Sequence, residues 1–147
     1  MKLKRFSAIL CLGLALTILL TGCGFGGFNN KPLPEGMDKD KLIAAGQEVF
    51  ELLREGEFEE VSARFRADIR EKNGVTAEFL REQMETYVDP AAVGAFVKIK
   101  QTVVSGETAE EEHGFVAFEC KYTKKTVAVA VAFDLQMNLI GLSFAHD

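Results

Sequence analysis

From Ala95 to the C-terminus apolar side chains recur at every second position, the repeat of a strand with one buried face. Three interruptions divide the run, and the last two can be tested by pairing. If Thr123-Lys124 is a two-residue turn, Tyr122 opposes Lys125, and Cys120, Phe118 and Val116 oppose Val127, Val129 and Val131. If residues 135–138 form the next loop, Phe133, Val131 and Val129 oppose Ile140, Leu142 and Phe144. From Cys120–Val127 onward every opposed pair is apolar on both sides. Opposed residues share a sheet face, and a slip of one residue would turn the whole set over, so the agreement specifies the register. It predicts an antiparallel meander with strands over 96–104, 115–122, 126–133 and 139–146.

The other face of that meander carries Ala128, Ala130 and Ala132 in a row, with Ala117 and Phe115 beside them. Small side chains leave a pleated surface flat. Such a face suits a second copy of the chain or an envelope protein partner, or is a tolerant surface on which alanine costs little to expose. Gln101 and Tyr122 have the parity of the inner face. They line the mouth of an interior pocket, or they sit at strand ends near water.

Before Ala95 the period lengthens to that of helices. Asp38 is a cap for a helix running to Glu55, with Leu42, Ala45, Gly46, Val49, Phe50 and Leu53 on one face and Gly56 as its stop. A second helix is expected over 58–72, with Phe58, Val61, Phe65 and Ile69 as its stripe and Asn73-Gly74 as its end. Thr76 caps a third, whose stripe is Leu80, Met84, Tyr87 and Val88, and Asp89-Pro90 closes it. The charges between the stripes, including Arg64, Arg66 and Arg70, read as a solvated face with local ion pairs or as an anion site. The fold class expected is α+β: N-terminal helices packed on one face of a four-stranded antiparallel meander.

The first 22 residues have another purpose. Lys2, Lys4 and Arg5 precede an almost wholly apolar run over 6–20. As a helix that run rises roughly 22 Å, short of a hydrocarbon core of about 30 Å, so it reads as a signal peptide. It ends in Leu20-Thr21-Gly22-Cys23, which resembles the bacterial lipobox, and Cys23 is the expected lipidation site. A diacylated cysteine gives stable membrane anchoring. Residues 24–37 hold four glycines and two prolines and read as a tether, with the folded domain over 38–147.

Loss of Lys2, Lys4 and Arg5 with the leader leaves 14 basic against 22 acidic residues, a net charge of −8. So acidic a body repels phosphate backbones, which argues against nucleic-acid binding. Anionic lipid would repel it too, so contact with the membrane falls to the N-terminal lipid. Of three cysteines, Cys11 leaves with the leader and Cys23 is the proposed acyl site, which leaves Cys120 facing Val127 as a packing residue. Ser143 lies in Gly141-Leu142-Ser143-Phe144, not in a nucleophile elbow, and His146 falls on the opposite strand face. The run from Glu110 to His113 reads as a solvated hairpin loop rather than a metal site. No catalytic, metal-binding or cofactor-binding motif stands out.

Four short motifs in order carry a resemblance. Gly56-Glu57-Phe58, Val75-Thr76-Ala77-Glu78, Gly94-Ala95-Phe96, and Phe133-Asp134 leading to Ile140-Gly141-Leu142 resemble a bacterial domain of unknown function, which occurs in lipoproteins and ahead of α/β-hydrolase domains. Met84 departs from it where an aromatic residue is expected. The order of elements is similar to the cystatin-like or nuclear-transport-factor-like architecture, which implies a cone formed by a sheet curved round a helix. Two functions follow as expectations. One is a non-catalytic interaction module held at the cell envelope. The alternative is a small-ligand-binding or enzymatic domain using the cone interior, a reading by analogy that falls if Phe50, Phe65, Phe118 and Phe133 fill that interior.

Overall fold

The computed structural model describes residues 31–108 and 111–146. The leader, Cys23, the first part of the tether and Glu110 lie outside the described residues. Five helical segments precede four strands: α1 (Lys39–Glu55), α2 (Phe58–Arg64), α3 (Ala67–Asn73), α4 (Ala77–Tyr87), the single turn α5 (Pro90–Val93), then β1 (Phe96–Glu107), β2 (His113–Tyr122), β3 (Thr126–Asp134) and β4 (Leu139–His146). The strands form one antiparallel sheet in the order β1-β2-β3-β4, so the fold is α+β with helices against a meander.

α1 begins and ends where local chemistry sets it. Asp38 Oδ1 accepts a hydrogen bond from Lys41 N–H at 2.8 Å, and Gly56 stops the helix with a left-handed φ of 79°. Its buried face is Leu42, Gly46, Val49, Phe50 and Leu53. Gly46 lets the helix lie directly on β2, since a Cβ there would stand 2.2 Å from Val116 Cγ1. One turn on, the Phe50 ring stacks 6.1 Å from Phe118 and meets Phe96 edge-on at 5.6 Å.

The helix expected over 58–72 is broken. Phe65 is extended (φ −65°, ψ 135°), forms a parallel bridge to Leu139, and is followed by Arg66 N–H donating to the Leu139 carbonyl at 2.9 Å. A continuous helix would satisfy Arg66 N–H internally. The break spends that bond on β4 instead and still buries both Phe65 and Ile69. α4 ends at Tyr87, just ahead of Asp89-Pro90 as expected, and the pair has a second part: Asp89 Oδ1 accepts from Ala91 N–H at 3.0 Å and starts α5, with Pro90 in its first turn.

The β2–β3 register is the expected one, with Cys120, Phe118 and Val116 opposite Val127, Val129 and Val131. Across β3–β4, Val131 faces Leu142 and Val129 faces Phe144, but Phe133 faces Leu139 rather than Ile140. A bulge at that end accommodates the extra residue and lets Leu139 and Ile140 both reach the core. Residues 31–37, the end of the expected tether, lie on the sheet. Gly106 N–H donates to the Lys31 carbonyl and Lys31 N–H to Ser105 Oγ, each at 3.2 Å. The approach is close: a Cβ on Gly106 would stand 2.2 Å from the Pro32 carbonyl oxygen, and one on Gly114 2.8 Å from Met37 Sδ.

Candidate functional site

The two faces of the sheet offer different sites. On the inner face the interior is packed. Phe50, Phe65, Phe118 and Phe133 are all buried among the core side chains. The mouth expected at Gln101 and Tyr122 does not form. The pairing of β1 with β2 is irregular between Ile99 and Gln101, so Gln101 comes opposite Glu119, is exposed, and no longer shares the face of Tyr122. Tyr122 is buried, with the Phe96 ring edge-on at 5.6 Å and the Arg54 guanidinium 3.8 Å over Phe96 as a lid. Burial pushes the Tyr122 phenol up to about 12, and its hydroxyl has no hydrogen-bond partner among the described residues.

Cys120 lies two residues along the same face, opposite Val127 as expected. Burial pushes its thiol up to about 12, with the Arg54 charge opposing, so the reactive thiolate is scarce at neutral pH. Ser143 comes opposite Ala130, on the alanine face, while His146 lies beside Tyr87 at 5.9 Å on the helical side. The two are kept apart as the strand alternation requires.

Register brings Phe115, Ala117, Ala128, Ala130 and Ala132 onto one face, as the sequence implies. Their exposure differs from the expectation of a flat open surface. Phe115 is 5%, Ala117 0%, Ala130 1% and Ala132 4% exposed, and Ala128 is half-buried. α1 meets the opposite face through Gly46, Phe50 and Phe118, and α4 meets it through Tyr87, whose ring stacks 5.9 Å from Phe144.

A charged cluster that strand and helix periods do not reveal joins the helix break to the β3–β4 loop. Arg66 holds Asp68 at 2.7 Å, Asp134 at 3.2 Å, and Glu111. Asp134 also accepts from Gln136 N–H at 3.0 Å, from Asn138 N–H at 2.8 Å and from the Asn138 amide at 3.1 Å. Burial alone would raise the Asp134 carboxyl, but the bonds from Asn138, Arg66 and Gln136 outweigh it and hold the pKa below its ordinary value. The Arg66 guanidinium is held more firmly protonated, first by Asp68 and then by Glu111. Arg64 pairs with Glu48 at 2.7 Å and Glu60 at 2.8 Å. Arg64 and Arg66 thus spend their donors on the chain's own carboxylates. His113, expected in a solvated loop, instead begins β2, is buried, and sets Nδ1 2.7 Å from the Glu111 carbonyl.

On the helical side an open hollow of about 550 Å³ lies between α2, α3 and the loop that leads into α4, lined by Ser62, Arg70, Val75 and Thr76 among others. The Ser62 hydroxyl already donates to the Val75 carbonyl at 2.6 Å, and the charged lining is of mixed sign, Glu59 and Glu71 with Arg70.

No curated protein matches the chain. A protein from Ruminococcus gnavus ATCC 29149, whose structure was determined by NMR, is similar with a TM-score of 0.63 and 24% sequence identity, over 78% of this chain and 96% of that one. At that identity the likeness is one of fold. A family model described as a protein of unknown function (DUF3887) matches residues 46–142, from the middle of α1 to β4, and the chain belongs to that family.

Proposed function

We propose that the protein is a lipoprotein, acylated at Cys23, that holds a non-catalytic interaction domain at the outer face of a cell membrane. The observation that carries this reading is the order of charge, apolar run and Leu20-Thr21-Gly22-Cys23 at the N-terminus. Among the described residues no helix is long and apolar enough to cross a membrane, so in this reading the acyl chains make the attachment. The side chains that would serve catalysis are committed elsewhere. Cys120 is sealed in the core, Ser143 and His146 lie on opposite faces, and the arginines at the helix break are paired. The burial of Phe50, Phe65, Phe118 and Phe133 in the core favours this reading over a ligand site in the domain interior.

Mass spectrometry of the native protein tests the anchor: Cys23 as the mature N-terminus, carrying diacylglyceryl, is the expected result. Cys23→Ser should release the protein from the membrane fraction. An unmodified Cys23, or a serine variant that stays membrane-bound, overturns the reading. Turnover of any substrate by the purified domain would overturn its non-catalytic part.

A further inference from the structure

The net charge of the chain hides an uneven division. No carboxylate lies within residues 90–106 or 120–133, yet five of the 14 lysines and arginines that follow Cys23 fall there: Lys98, Lys100, Lys121, Lys124 and Lys125. The sheet gathers them at one end. Lys98 stands directly opposite Lys121, the turn after β2 carries Lys124 and Lys125, and all five are exposed. Lys100 is paired with Glu119 at 2.9 Å, and Lys124 Nζ donates to the Ala91 carbonyl at 2.9 Å. At the border of the patch Asp89 caps α5 and Glu51 is paired with Arg54. Lys98 and Lys121 make no ion pair among the described residues. Beside them Val97, at the irregularity in pairing between Phe96 and Lys98, is 49% exposed, the most exposed large apolar side chain described. We propose that this end of the sheet, Lys98 and Lys121 with Lys124, Lys125 and Val97, docks on a phospholipid surface that carries anionic head groups.

Like charges directly opposed in a sheet repel, so the Lys98–Lys121 pair costs the fold stability that an outside anion restores. Lysine on an edge strand also deters stray strand pairing, which suits Lys98 on β1, but β2 is an interior strand, where Lys121 has no such purpose. An anionic bilayer offers the two groups that this patch lacks: phosphate for the opposed ammonium groups, and a hydrocarbon boundary for Val97. A nucleic acid offers phosphate alone. The rest of the body after Cys23, nine basic against 21 acidic residues, is repelled by the same lipid, so the charge division selects which end faces it. The anchor does not forbid the contact. Lys31 bonds to Ser105, seven residues along β1 from Lys98 and so about 23 Å away at the strand rise. The seven residues between Cys23 and Lys31 allow a separation of up to about 28 Å, which leaves the patch free to meet the membrane.

Docking needs only the patch; its effect, orienting a tethered domain on the membrane, rests on the lipoprotein reading. The test uses the mature lipoprotein reconstituted in vesicles, either of phosphatidylcholine alone or of an equal mixture of phosphatidylcholine and phosphatidylglycerol. A polarity-sensitive dye is attached at Val97→Cys, and the burial of Cys120 keeps the labelling selective. The expected result is a blue shift of the dye in the anionic vesicles only, lost in about 1 M salt, where the screening length falls to about 3 Å. Each lysine at an anionic surface favours the docked state about fivefold, so Lys98→Gln with Lys121→Gln should lower the docked-to-free ratio about 25-fold. Lys39→Gln with Lys72→Gln, which removes two exposed cations elsewhere, should leave that ratio unchanged. Equal spectra in the two kinds of vesicle, a shift that survives the loss of Lys98 and Lys121, or an equal fall with the control pair each overturns the proposal. The salt series changes no residue, so it decides the matter should a glutamine pair disturb the sheet. Mass and flotation of the same samples report the anchor separately. Acylated protein that floats without a shift loses docking alone, and unacylated protein that still shifts on anionic vesicles loses the anchor alone.

Discussion

Where α1 lies on the sheet, the seam is apolar: Gly46 against Val116, and Phe50 stacked on Phe118. Where the break between α2 and α3 meets β4, the seam is charged and backbone-bonded: Arg66 holds Asp134, and its N–H donates to Leu139. The first seam supplies area, the second direction. Apolar contact tolerates small slides of a helix over a sheet, whereas the Asp134 carboxylate, with bonds from Arg66, Gln136 and Asn138, permits one placement of the loop. The comparison predicts large, graded losses at the apolar seam and smaller, pH-dependent ones at the charged seam.

The largest loss is expected at Phe118. Its ring is fully buried between α1 and β3, and Phe118→Ala should cost about 3–5 kcal/mol by urea denaturation, the range for removing an aromatic side chain from a core. A cost no greater than that of a surface substitution would show that α1 is not held by this contact. Gly46→Ala should follow, at about 1–3 kcal/mol, because its Cβ would fall 2.2 Å from a Val116 methyl group and push helix from sheet. Added Val116→Ala should make the glycine substitution less harmful, and a double-mutant cycle reads the coupling directly. Strict additivity of the two would place the strain elsewhere.

The two seams also differ in what the sequence discloses. The apolar one follows from periods: Leu42, Gly46, Val49, Phe50 and Leu53 recur at helical spacing, Val116, Phe118 and Cys120 at strand spacing, and Asp38 and Thr76 mark helix starts. The charged one is hidden because the conformation of Phe65 is decided by Leu139, which comes close only in the finished fold. The Phe58, Val61, Phe65 stripe continues smoothly to Ile69, and nothing local announces the break. Gln101 changed faces for a similar reason: in Val97-Lys98-Ile99-Lys100-Gln101 the alternation is too weakly apolar to expose an irregular pairing. The parity of the alanine residues was legible, but their burial was not, since parity assigns a face and leaves its cover undetermined.

Asp134→Asn sharpens the contrast. The amide keeps a carbonyl for the Gln136 and Asn138 N–H groups but sets its own N–H₂ toward Arg66 or the Asn138 amide, so a loss of about 1–2 kcal/mol is expected at pH 7. The sign of the pH effect follows from the lowered carboxyl. An unfolded Asp takes up its proton near pH 3.9, whereas folded Asp134 does so at lower pH, so on acidification the unfolded state binds protons first. The stability owed to this group is complete above about pH 5 and drains away as pH falls below about 4 and through the folded value. Chemical denaturation of both proteins between pH 7 and pH 2 should show the gap between them closing in that window. A gap that stays constant would mean that Asp134 acts by shape and not by charge.

The smallest effect separates charge from burial as the source of the second seam. Arg64 also bonds a carboxylate at 2.7 Å, that of Glu48, and the bond lowers the Glu48 pKa, as Asp134 is lowered. The Glu48 side chain is 59% exposed and the Asp134 side chain 4%. In water-screened surroundings the attraction between two ions is nearly matched by the hydration and side-chain freedom they give up. Glu48→Gln should therefore cost under about 0.5 kcal/mol, and less in high salt, although its bond is shorter than the 3.2 Å from Arg66 to Asp134. Equal losses for Glu48→Gln and Asp134→Asn would break the comparison, since ion pairing alone would then account for both contacts and the burial of Asp134 would add nothing.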